Sequence, residues 1–157
     1  MSTVIGNAKN HYAQTWHQSS LSSVARYQPL QPEYVLAPYL SAVEGFKSRK
    51  LISRFRCGCH GLHVDTGRLL PLAQQVPREQ RHCVFCASVS AEDEHHFVFG
   101  CPAYCAIRNR FTIIFWGPAP TLSSFVTLHD PKVIARFLRE CFEHRNTLMA
   151  AQTGHNL

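Results

Sequence analysis

The sequence predicts a mainly helical small domain with one metal-stapled loop set into it, and three observations carry that reading. Apolar residues recur at a spacing of about 3.6 over 38–56, over 102–116 and from Pro131 onward, the mark of helices that bury one face. Strand patterning is confined to a short hairpin expected inside the loop, around Cys83 and His96. The loop itself places Cys83, Cys86, His96 and Cys101 in the order C-x2-C-x9-H-x4-C.

That spacing suits a tetrahedral Zn²⁺, which takes thiolates at about 2.3 Å and an imidazole nitrogen at about 2.0–2.1 Å, all four positions being filled when the site is structural. The C-x2-C turn puts two sulfurs on one ion, and H-x4-C closes the shell from the other side. No position is left for water, so the metal is expected to hold structure and to perform no chemistry. His95 competes with His96 as the imidazole ligand, in the register C-x2-C-x8-H-x5-C; His96 is preferred. Pro102, directly after Cys101, fits the first turn of a helix, where an N–H has no partner in any case. Cys101 then sits at a helix N-terminus, where the dipole favours a thiolate.

A chain of 157 residues fits one ordinary core. The expected organisation is a polar N-terminal arm over 1–33, a helical domain over 34–149 with the zinc loop 83–101 embedded in it, and a tail over 150–157. Hydrophobic residues at 45% against charged ones at 17% argue for folding rather than disorder. Sixteen Lys and Arg against ten Asp and Glu leave a net charge of +6, which points to a polyanion, RNA or DNA before an anionic membrane surface. No apolar run is long enough for a spanning helix. The segment MSTVIGNAKNHYAQTWHQSS lacks the charged start, apolar centre and cleavage site of a secretory signal. Seven cysteines in such a chain are expected to stay reduced, in nucleus or cytoplasm, and to bind metal rather than pair.

In chain order, 1–33 reads as an extended or partly helical arm, with Trp16, Val24 and Tyr27 as the places where it packs on the body. Over 38–56, Tyr39, Leu40, Val43, Phe46, Leu51, Ile52 and Phe55 predict one helix, and Lys47, Lys50 and Arg54 share a face of it at i, i+3 and i+7. The segment RCGCHGLHVDTGR reads as a compact turn packed by Leu62 and Val64. Its Cys57, Cys59, His60 and His63 lack the C-x2-C separation of most structural sites, so no second metal is expected there. PREQRHC reads as a surface connection that brings Arg78 and Arg81 to the loop. Glu92 or Glu94, in the acidic tip 91–94, is expected to cap a turn or to hydrogen-bond the ligand histidine. A helix over 102–116 buries Tyr104, Ile107, Phe111, Ile114 and Phe115 and is stopped by Gly117, Pro118 and Pro120. Asp130 and Pro131 make an N-cap and first turn for a last helix, whose apolar stripe is Val133, Ile134, Phe137, Leu138, Cys141 and Phe142.

SRFRCGCHGLHVDTGR, PREQRHCVFC and EDEHHFVFGCPAY followed by IRNRF together resemble the segment downstream of the polymerase domain in non-LTR (LINE-like) retrotransposon polyproteins. That family's pattern is an arginine-rich helix, an R-x-G-x-H-x-L turn closing on G-R, then C-x2-C, E-x-x-H-F and C-P-x-Y. The upstream YQPLQPEYVLAPYL is similar to the tyrosine and leucine pattern before that block. The resemblance spans about residues 27–112, and its most specific part is Cys83, Cys86, His96, Cys101, Pro102 and Tyr104. It implies a zinc-binding, nucleic-acid-associated module of the reverse transcriptase zinc-binding kind, with the polymerase part of such a protein as a partner. This chain carries no Y-x-D-D turn, so polymerisation does not come with the resemblance.

The leading expectation is therefore a non-catalytic binding module that presents Lys47, Lys50, Arg54, Arg56, Arg78, Arg81, Arg108 and Arg110 to a phosphate backbone. Six such contacts give a log–log salt slope of about −4 to −5. Phe85, Phe97 and Phe99 either stack on unpaired bases or wrap the metal in apolar packing. The alternative is a zinc-stabilised protein-interaction module. A zinc deaminase is disfavoured: His63-Val64-Asp65 before Cys83 and Cys86 puts Asp where that chemistry uses Glu, and four protein ligands close the metal.

Overall fold

Two helices and the irregular chain between them build most of the core. The computed structural model describes residues 2–19, 22–33, 35–115 and 120–154. It contains α1 (Ser2–Gln18), α2 (Ser22–Tyr27), α3 (Tyr39–Ala42), α4 (Phe46–Arg56), α5 (His63–Thr66), α6 (Cys105–Arg108), α7 (Leu122–Thr127) and α8 (Pro131–Gly154), linked by short 3-10 turns. The fold is mainly helical, and there is no strand among the described residues. The hairpin expected in the loop reduces to one antiparallel bridge between His82 and Ala91. Cys83 N–H donates to Ser90 O at 3.1 Å and Glu92 N–H to Arg81 O at 2.9 Å. Beyond them the loop runs through bends into a five-residue π-helical turn, His96–Gly100.

The helix expected over 38–56 is interrupted. Val43 is extended (φ −92°, ψ 120°) after α3, and α4 restarts behind Gly45, whose φ of 82° lies where a side chain is disfavoured. The far end of α4 closes in a Schellman turn: Cys59 N–H donates to Arg54 O and Gly58 N–H to Phe55 O, with Gly58 at φ 64°. α4 turns Ile52 and Phe55 inward, and α8 buries Ile134, Phe137, Leu138 and Cys141 from its apolar stripe. Each large side chain so buried stabilises by about 1.5–3 kcal/mol. Phe55 meets Phe97 at 6.4 Å and Phe125 at 6.3 Å between ring centroids, and Phe137 meets Phe111 at 5.5 Å, which joins α4, α7, α8 and the loop in one aromatic cluster.

The stretch from Pro102 is also less regular than its periodicity predicts. It forms a 3-10 turn at Pro102–Tyr104, then α6, then another 3-10 turn at Thr112–Ile114, because Phe111 (φ −118°, ψ 34°) has left the helical region. Tyr104, Ile107, Phe111 and Ile114 are buried as expected. Trp116, Gly117 and Pro118, expected to end that helix, lie outside the described residues. α7 starts with a capping box between Thr121 and Ser124. Asp130 Oδ1 accepts from Lys132 N–H at 2.8 Å to open α8. α8 runs past 149 to Gly154, where the tail was expected to fray, and Gln152 Nε2 donates to Val84 O at 3.1 Å, tying its last turns to the loop.

The arm is more helical than expected, since α1 occupies 17 of its residues. Trp16 packs edge-on against Tyr27 at 5.6 Å, and Ser123 Oγ donates to Pro29 O at 3.0 Å, so 27–30 lies against α7. Among the described residues no helix is long and apolar enough to cross a membrane.

Candidate metal centre

Cys83, Cys86, His96 and Cys101 converge so that their ligand atoms all lie within 4.8 Å of one another. Cys83 and Cys101 sulfurs are 3.7 Å apart, and Cys86 Sγ is 3.4 Å from His96 Nε2. A tetrahedral ion of zinc's bond lengths sets S–S edges of about 3.8 Å and S–N edges of about 3.6 Å. These two edges are close to those lengths, and the Cys83 and Cys101 sulfurs are too far apart for a disulfide. A Cys3His group that could hold a metal ion such as zinc is therefore present. Cys57, Cys59, His60 and His63 form no such group among the described residues. His95 is exposed, with its ring 5.1 Å from Phe99, so His96 supplies the imidazole in this arrangement.

Local backbone places each ligand. Cys83 leaves the short bridge, and Cys86 follows in the C-x2-C turn. Asp93 Oδ1 accepts from His96 N–H at 2.9 Å, capping the π-helical turn that aims the imidazole inward. Cys101 N–H donates to His96 O at 2.7 Å, which fixes the last two ligands relative to each other. Arg108 Nη2 donates to Cys101 O at 2.6 Å. Glu92 caps a turn, as expected of it or Glu94: its carboxylate accepts from His63 N–H at the start of α5, while the turn that carries His96 is capped by Asp93.

The electrostatics fit a cation at the centre. The hydrogen bond to Cys101, then burial, pushes the Cys83 thiol well up, while accepting that bond lowers Cys101. Two buried sulfurs cannot both carry charge unaided, whereas a dication among them deprotonates both. Burial lowers His96, which keeps its imidazole neutral and able to ligate.

Around the loop lie two carboxylate networks. Glu92 is 1% exposed; it accepts from Arg145 Nε at 2.8 Å and Nη2 at 2.9 Å, and from His63 N–H at 2.7 Å. Arg145 also lies over the Phe85 ring at 5.3 Å. Glu94 takes a 2.8 Å hydrogen bond from His60 Nε2, whose Nδ1 accepts from Leu62 N–H, so the Nε2-protonated tautomer is fixed. Nothing in local spacing announces the Glu92–Arg145 pair, whose members are 53 residues apart. Asp93 was findable, since a side-chain acceptor three residues before a turn's first donor is a capping signature.

The eight basic residues fall into different situations. Lys47, Lys50 and Arg54 share an exposed face of α4. Arg54 Nε holds Cys59 O at 2.7 Å. Arg56 is buried between the rings of Tyr27 and Tyr39. Arg81 is buried too, bonded to Val76 O and Val64 O, and Gly67 is small for its sake: a Cβ there would lie 2.8 Å from Arg81 Cδ. Arg78 faces Asp93 and Glu94, each at 3.4 Å, and Arg110 pairs with Glu140 at 2.6 Å. Of the three aromatic candidates, Phe97 is fully buried, Phe99 packs between Phe115 and Phe125, and half-buried Phe85 lines a groove with His144 and Leu148.

Fold and site together define a small helical domain with a Cys3His cluster. Comparison with known protein families, curated proteins and solved structures gave no significant match to this chain.

Proposed function

We propose that this chain is a non-catalytic zinc-binding module that associates with RNA or DNA, of the kind found beyond the polymerase domain in non-LTR retrotransposon reverse transcriptases. The observation that carries it is the convergence of the Cys83, Cys86, His96 and Cys101 donor atoms to within 4.8 Å of one another, inside the C-P-x-Y context that the resemblance rests on. Four protein donors leave no ligand position for a substrate, so the ion holds the loop in place. Three thiolates select zinc among the common divalent ions of a reducing nucleus or cytoplasm. Lys47, Lys50 and Arg54 form the phosphate-facing surface, because they are exposed on one helical face and make no ion pair among the described residues.

The test is RNA and DNA binding by the zinc-loaded chain at two ionic strengths. Three phosphate contacts give a log–log salt slope of about −2 to −3. Reversing Lys47, Lys50 and Arg54 to Glu should abolish most of that slope at unchanged metal content, and an unchanged affinity would remove α4 from the interface.

One observation favours a protein partner instead, such as the polymerase part of the same kind of protein. Leu69 and Leu72 are 74% and 86% exposed beside Pro71, an apolar tip that no phosphate contact explains. A slope near zero with zinc intact would support that reading.

A further inference from the structure

Arg56 presents an unbalanced charge. It is 4% exposed, and its guanidinium carbon lies 5.0 Å from the Tyr27 ring and 5.3 Å from the Tyr39 ring. Nη2 donates to Leu30 O at 2.5 Å and to Gln31 Oε1 at 3.1 Å, while the buried Nε has no partner. No carboxylate pairs with it among the described residues. A buried ion without a counter-charge costs several kcal/mol, of which neutral carbonyls and ring faces offset a part. Of the other enclosed arginines, Arg145 has Glu92, Arg81 has both Nε and Nη1 on carbonyls, and Arg108, which also keeps an unpartnered buried Nη1, lines no cavity with Arg56.

Arg56 also lines a cavity of about 300 Å³, whose other walls include Leu30, Tyr39, Val126, His129 and Pro131. The walls are mostly apolar, and Glu33 stands in them without pairing to Arg56. A second cavity that Arg56 lines has Arg78 and Glu94 in its wall, already paired with each other. One buried cation with one anionic group, Glu33, on the rim fits a monoanion better than a phosphate dianion.

We propose that the cavity beside Arg56 is a binding site for a small organic carboxylate, its charge on the guanidinium and its apolar body against Leu30, Val126 and Pro131. The planar fork of a guanidinium matches a carboxylate, and no carboxylate of the described residues occupies it.

Titration of the zinc-loaded chain with hexanoate, 1-hexanol and inorganic phosphate, followed by amide NMR, tests it. Hexanoate should shift the Leu30, Gln31, Val126 and Thr127 amides saturably and at least about tenfold more tightly than hexanol, the gain expected of a charged hydrogen bond. Phosphate should leave them in place. Arg56→Met should bring hexanoate down to the affinity of hexanol. Val126→Phe keeps Arg56 and fills the cavity, so it should weaken hexanoate at least about tenfold. Glu33→Gln, which removes the rim charge, should tighten it about threefold. Should Arg56→Met fail to fold, the last two variants decide. Equal binding of hexanoate and hexanol, phosphate shifting the same amides, or wild-type affinity in Val126→Phe would each overturn the proposal.

Discussion

The loop over 81–101 and the pair of helices α4 and α8 reach the same degree of burial by different physics. α8 is 24 residues of repeating backbone hydrogen bonds with one apolar stripe, and its stability is spread over many side chains of moderate worth. The loop has no regular element longer than its five-residue π-helical turn, yet Phe97, Val98 and Cys101 are 0% exposed. An irregular backbone enters a core only where its polar groups are pinned, and here a few atoms do so: four ligands, the Asp93 carboxylate and the Glu92–Arg145 pair. The helices should therefore tolerate single changes in proportion to volume lost, whereas the loop should fail as a unit when one pin is removed.

Cys83→Ser breaks the comparison most directly. A hydroxyl is a poor substitute for a thiolate on zinc, and metal affinity and loop folding are one free energy, about 10–16 kcal/mol for structural zinc in small peptides. Loss of the ion should strip hydrogen-exchange protection from 83–101 while far-UV circular dichroism still reports α8. One zinc per chain with wild-type melting in this variant would mean that the ligand set is wrong. Complete loss of helicity would mean that the two regions share a single stability.

Glu92→Gln sharpens the comparison, because Glu92 is where loop and helix meet. Removing one partner leaves the Arg145 guanidinium, 13% exposed at its side chain, without its counter-charge, at a cost of about 3–5 kcal/mol. Urea unfolding should show that loss with zinc still bound at neutral pH. Adding Arg145→Met should recover part of it, since the uncompensated charge is then gone. A cost below about 1 kcal/mol, the scale of an exposed pair, would show that the loop is docked by its apolar residues alone.

The legible parts of this molecule are those governed by short-range rules. The stripe Ile134, Phe137, Leu138 and Cys141 follows from helical period, and Asp130-Pro131 from end chemistry, so α8 could be placed within a few residues. The metal group was legible because ligand chemistry restricts residue type and spacing together. Spacing alone left His95 and His96 both open, and the preferred His96 is the one in the group; the Asp93 cap, a contact in three dimensions, accompanies its inward turn. Period also overran its evidence at 38–56 and 102–116: Tyr39, Val43, Ile52 and Phe55, and Tyr104, Ile107, Phe111 and Ile114, are buried although Gly45 and Phe111 leave the helix, but Leu40 and Phe46, on the same predicted apolar face, are exposed. The eight basic residues were least legible, because charge alone does not separate exposed Lys47 from Arg56 and Arg81, which hold carbonyls inside the fold.

The smallest effect concerns acid, and it separates loop from body by pH. Burial alone would raise the Glu94 carboxyl, but the His60 hydrogen bond, with Arg78, holds it below its ordinary range; hydrogen bonds from Gly61 and Arg68 do the same for Asp65 against its burial. A carboxyl depressed in the folded state contributes stability that is fully present above its unfolded value, near pH 4, and is lost as pH falls through the depressed folded value. The metal group responds earlier, because thiolates and imidazole compete with protons for the ion at milder acidity. Acid titration should thus release zinc to a chelating dye first, with helical circular dichroism and the urea midpoint of the body declining only below about pH 4. Asp65→Asn, outside the loop, should flatten that second limb and leave the zinc-release midpoint in place. If zinc release and helix loss coincide in wild type, the loop and the body unfold as one unit and the distinction between them fails.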